Sequence, residues 1–147
     1  MATSVLQQLA TLRRWTPFFM AAPRRFLDVQ REWGAFDIGW WSANDYEWEE
    51  DDWSGLVDIS QPVEETLTTG TGDCVDYATV VLSYLSATTD RELSIHACYT
   101  KSRLPPKGHL IAFDGERTYS SGEIRRQTPE EYLAGSEYDV MFSRKVR

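Results

Sequence analysis

The residues best suited to do chemistry in this chain are Cys74 and His109. Cys74 stands in the run Gly70-Thr71-Gly72-Asp73-Cys74-Val75-Asp76-Tyr77-Ala78, directly after two glycines and at the head of an apolar segment. Val75, Ala78, Val81, Leu82 and Leu85 recur at helical spacing, which predicts a buried helix over 74–87. Asp73 falls at the N-cap, so Cys74 lies in the first turn. Unpaired backbone N–H groups and the positive helix end favour an anion there, and the thiol is expected to ionise more readily than a free one. A cysteine is most often a packing residue; the glycines, which let the backbone turn sharply and approach a substrate, set this one apart. A thiol nucleophile needs a base, and the chain has two histidines. His109 opens the strand-like run Gly108-His109-Leu110-Ile111-Ala112-Phe113, which ends in an Asp114-Gly115 turn signal. His96 and Cys98 share one face of an alternating strand over 92–100 and read as packed residues rather than a second pair. The order Cys…His, on a helix followed by strands, suits thiol-dependent acyl transfer.

The cysteine box, Gly-x-Gly-Asp-Cys-x-Asp-Tyr-Ala, preceded by Pro62-Val63-Glu64-Glu65-Thr66-Leu67, resembles the transglutaminase-like superfamily, in particular its short single-domain archaeal and phage-related members. The resemblance covers roughly residues 53–122. It implies an α+β, papain-like fold with the cysteine at the N-terminus of a central helix packed on an antiparallel sheet. It also implies Cys74 as nucleophile and His109 as its partner.

The family's third residue is an aspartate that orients the imidazole. Asp114 is nearest by number, yet five residues of strand, about 16 Å, separate it from His109, and it suits the turn itself. In a tight hairpin centred on Asp114-Gly115, Ser120 or Ser121 faces His109, for a turn of two or three residues respectively. Ser121 is taken as the third position, with Ser120 and Asp114 as alternatives. A serine can accept the ring N–H and hold its tautomer, but it cannot stabilise an imidazolium as a carboxylate does. Glu123, or an acid from the 47–52 run, could fill that role through folding. For an oxyanion, the Cys74 backbone N–H is one donor, and Trp53, Gln61 and Thr68 are candidates for the second.

The surrounding elements are expected as follows. Residues 1–33 hold N-terminal helices, one over 5–15 and a second carrying Phe18, Phe19, Phe26, Leu27 and Trp33. The aromatic and acidic stretch 34–56 reads as an irregular loop with short strand-like pieces. Ser60 caps a short helix opened by Pro62 and ended by Gly70. After the cysteine helix come the strands at 92–100 and 108–113, a loop over 101–107, and a hairpin partner over 116–121. A short helix from Thr128 to Gly135 and a strand over 138–143 close the chain. No repeat or linker divides it, so 1–147 reads as one domain with its motif-bearing core at 53–122.

Composition narrows the function classes. A chain of 147 residues with six tryptophans can bury a core without disulfides or metal. No His/Cys spacing suits zinc, the acidic run lacks a calcium-loop pattern, and no cofactor motif is present. A net charge of −8 and pI near 4.7 argue against nucleic acid as partner, and no apolar run reaches membrane-spanning length. Twelve arginines and three lysines against 23 acids hint at a halophilic source. No signal peptide is evident at 1–12, so a cytoplasmic, reducing location is expected. Two functions compete: hydrolysis or exchange of a peptide or amide bond through a Cys74 thioester, and a binding or structural role in which the fold is kept and the chemistry impaired. The second places the chain in a larger assembly such as a virion, with partner proteins holding its termini. The paired arginines Arg13-Arg14 and Arg24-Arg25 read as solvated faces, or as a docking site for an acidic partner.

Overall fold

A computed structural model describes residues 20, 22–49, 61–101 and 107–147. In chain order the described elements are α1 (Ile38–Asn44), β1 (Glu47–Trp48), α2 (Val63–Thr69), β2 (Thr71–Gly72), α3 (Cys74–Thr88), β3 (Ser94–Tyr99) and β4 (Gly108–Phe113). They continue with β5 (Thr118–Ser120), β6 (Glu123–Arg125), α4 (Pro129–Ala134) and β7 (Val140–Lys145). The class is α+β, as expected: an antiparallel five-stranded sheet, ordered β6-β5-β4-β3-β7, carries the long helix α3 on one face.

Helix α3 starts where the cap residue dictates. Asp73 accepts from the N–H groups of Val75 and Asp76 at 3.0 Å each, while Asp76 accepts from the Asp73 N–H at 2.9 Å, a reciprocal capping box. Beyond that turn almost every residue from Val75 to Leu85 is buried. The sheet face beneath it is built from Ile95, Ala97, Leu110, Ala112 and Tyr119, and the two alanines let the helix sit close. An aromatic group closes the other side of the helix: Trp41 stacks on Tyr77 (6.1 Å between centroids), and Trp33 and Phe36 meet Tyr84 edge-on.

The segment leading into α3 is held by a two-stranded parallel pairing of β1 and β2, with Glu47 opposite Thr71 and Trp48 opposite Gly72. Gly70 makes this crossing feasible. It takes φ 71 at the end of α2, and a Cβ there would come within 2.5 Å of the Asp45 carbonyl oxygen.

Several expectations change here. Stretch 34–56 is not all loop, because Asp37 caps α1 through the Trp40 N–H and buries Ile38, Trp41 and Ser42 on one side. Of the N-terminal helices expected over 1–33, the described part holds a single 3-10 turn, Pro23–Phe26, with Pro23 and Phe26 buried. The helix over 5–15, Phe18 and Phe19, Arg13-Arg14, the acids 50–52, Trp53, Ser60 and most of the 101–107 loop lie outside the described residues. Helix α2 has Pro62 at its N-cap and no side-chain cap.

Candidate active site

Cys74 is the first residue of α3 and is half-buried. Its neighbourhood is fixed by the carboxylate of Asp76, which is 2 % exposed and accepts from the backbone of Asp73 and of Gln61, the latter at 2.5 Å. The Gln61 amide donates to the Thr71 carbonyl (3.3 Å) and to Asp76 (3.4 Å), so both its N–H groups are spent and it is not aimed at a substrate oxygen. Thr68 donates to the Glu64 carbonyl on the exposed side of α2 and is no oxyanion donor either. Tyr46 roofs this turn, donating its hydroxyl to the Gly72 carbonyl at 2.8 Å.

His109 sits near the start of β4, directly opposite Cys98 in the β3–β4 ladder. Strand alternation gives it the face shared with Ile111 and Phe113; Leu110 and Ala112 point the other way, into the core beneath α3. The imidazole therefore leaves the sheet on the side of α4. There it is sandwiched between Tyr132 (6.2 Å) and Tyr138 (5.8 Å, rings 9° from parallel). Its Nε2 is 2.8 Å from the Ser120 hydroxyl, which itself donates to the Tyr132 hydroxyl at 3.2 Å. Burial, with the Lys107 ammonium adding to it, pushes the ring pKa down to about 4, and Glu137 offsets only part of this. At neutral pH the ring carries no charge.

Burial raises the phenol pKa of Tyr132, Tyr138, Tyr46 and Tyr99, and a charged Cys74 adds to each shift. Nε2 is held by Ser120, which leaves Nδ1 as the nitrogen that can turn to a sulfur.

The third position differs from the first choice. The β4–β5 turn has four residues, not two or three, since Phe113 pairs with Thr118 and the Asp114 N–H reaches the Arg117 carbonyl. The ladder stops at Ala112–Tyr119, and the next residue, Ser120, reaches His109 diagonally. Ser121, at φ 42, turns away, and its buried hydroxyl lies beside the Tyr46 phenol. Asp114, the other alternative, is buried in the turn. Its carboxylate accepts from the N–H groups of Glu116 and Arg117 and from the Tyr119 hydroxyl, and it faces Arg91 at 3.4 Å. Glu123 is exposed and pairs with Arg125. Among the described residues no carboxylate bonds His109. Tyr132 and Tyr138 were missed by sequence reading, and a lone tyrosine after a short helix carries no signal that would have found them.

Cys98 is fully buried, and burial raises its thiol pKa to about 11. His96 is likewise buried, bridging Ser94 (2.8 Å) and Ser143 (2.7 Å), and burial lowers its pKa. Both are packing residues. No helix among the described residues is long and apolar enough to cross a membrane.

No protein-family model matches the chain, and no curated protein matches it. Among solved structures it is similar to a candidate cysteine protease from Cytophaga hutchinsonii, at 16% identity and a TM-score of 0.43 over 96% of this chain. The chain spans 58% of that protein's length.

Proposed function

We propose that the protein is a transglutaminase-like thiol enzyme that cleaves or exchanges a peptide or amide bond through Cys74, with His109 as base and Ser120 as the residue orienting it. The observation that carries this reading is a half-buried cysteine at the first position of a helix whose N-terminus is held by a reciprocal capping box. The reading requires Nδ1 of His109 to reach the sulfur while Ser120 holds Nε2; resting sites of this kind are commonly looser than working ones. The neutral ring takes the thiol proton as sulfur attacks the carbonyl. The proton passes to the leaving amine as the C–N bond breaks, and water or a second amine then opens the thioester. The Cys74 N–H at the helix start is the natural oxyanion donor.

Mass-spectrometric labelling with iodoacetamide at pH 7 tests this. The expected result is Cys74 modified well before Cys98, with His109→Ala slowing the reaction about tenfold or more. Labelling that ignores His109→Ala refutes the dyad.

A second reading, favoured by the hydroxyl where a carboxylate is expected, is a fold of this type that binds rather than cleaves, as one component of a larger assembly such as a virion. It predicts slow Cys74 labelling in every variant.

A further inference from the structure

A cleft of about 640 Å³ lies between the 3-10 turn and the end of β7, lined by Arg24, Arg25, Arg144, Lys145 and Arg147 along with Ser143; Arg147 bonds the C-terminal end of α3, whose first residue is Cys74. This chain has 15 cationic residues and 23 acidic ones, so a third of its cations line one cleft, and no lining residue is acidic. The chance clustering expected of a −8 surface runs the other way.

The walls are fixed by bonds that leave the charge in place. Arg147 donates to the carbonyls of Ser86 (2.9 Å), Thr89 (2.5 Å) and Arg91 (2.9 Å), which ties the chain to the loop after α3 without neutralising the guanidinium. Arg24 donates through Nε to the Val146 carbonyl, leaving its terminal nitrogens toward the cleft. The Arg147 main-chain oxygen accepts from the Leu93 N–H at 2.8 Å. Lys145 pairs with Glu92 at the exposed rim. Arg25 is exposed and pairs with no acid among the described residues.

From this geometry we infer that the cleft is a binding site for a small multivalent oxyanion, one bearing at least two phosphate or carboxylate groups. The forks of Arg24 and Arg25 can match either oxyanion in bidentate fashion, and the clustered positive charge selects for multiple charge over single charge. The site stands apart from the thiol chemistry and does not depend on it.

Calorimetric titration of the whole protein with pyrophosphate, with citrate and with acetate tests the inference. Saturable binding of pyrophosphate or citrate at low salt is expected, with acetate at least about tenfold weaker, and the ratio of the first two says whether phosphate or carboxylate is preferred. Arg25→Glu, on an exposed side chain, is expected to weaken binding about tenfold, while Arg25→Lys retains most of it. Raising the salt to about 1 M, where the screening length shrinks to about 3 Å, should abolish it. No saturable binding by the folded native protein, or equal affinity in Arg25→Glu, overturns the proposal.

Discussion

His109 shows how one substitution of hydroxyl for carboxylate sets the working range of a site. A ring held by Ser120 and buried between tyrosines is neutral down to about pH 4, so base catalysis should persist through the mildly acid range. The acid limb of any Cys74-dependent reaction is expected near pH 4 rather than near the free-histidine value of about 6.5, measurable as labelling rate against pH. Ser120→Asp brings a carboxylate to Nε2. It should raise the ring pKa, move that limb upward and increase thiol-dependent hydrolysis about tenfold or more. Ser121→Asp, at a backbone angle that Asp tolerates, should leave the limb in place because its side chain points to Tyr46. If both variants behave alike, Ser120 does not orient the ring.

Helix α3 is only as well placed as the turn before it. Asp73→Ala removes one cap and should cost about 1 kcal/mol. Asp76→Ala strands the N–H groups of Asp73 and Gln61 in a buried place and should cost about 3 kcal/mol. Gly70→Ala forces an unfavourable φ and a clash with the Asp45 carbonyl, which cannot move aside; a loss of roughly 2 kcal/mol is expected. Urea denaturation ranks the three, and a Gly70→Ala variant as stable as the parent would show that the β1–β2 crossing can relax. The same turn was the most legible part of the sequence, since cap residue and apolar periodicity agreed over α3. Helix α1 was hidden because its buried Trp41 sits among exposed Gly39, Trp40 and Asn44, which blurs the period. The β4–β5 register was off because the Asp114 carboxylate gathers the N–H groups of Glu116 and Arg117 and opens a two-residue turn into four. With four residues in the turn no serine stands directly opposite His109, and Ser120 reaches the ring diagonally.

Taken as a whole, the fold buries two histidines whose pKa values are both lowered. An unfolded chain binds protons at these rings near pH 6.5, and the folded one does so only at lower pH. Their contribution to stability is therefore complete above about 6.5 and is lost as pH falls toward 4. For His109, allowing for the exposed ring edge, this is on the order of 2 kcal/mol. His109→Gln should flatten the fall in urea midpoint between pH 6.5 and 5; an unchanged slope would mean that the ring already protonates in the fold. Cys98 and the core beneath α3 were readable from alternation, whereas the clasp of Tyr132 and Tyr138 on His109 depends on where α4 crosses the sheet.

Strand β7 lies at one end of the sheet order among the described elements, and Phe142 on it is 62% exposed. An edge strand of six residues with an outward aromatic is a template on which another chain can pair. Two copies joining along it must also bring together their net charges of −8 each. Concentrated salt, by masking them, removes the repulsion that keeps copies of the protein from joining edge to edge. A sample kept in low salt, or with Phe142 replaced by a threonine, should stay dispersed longest.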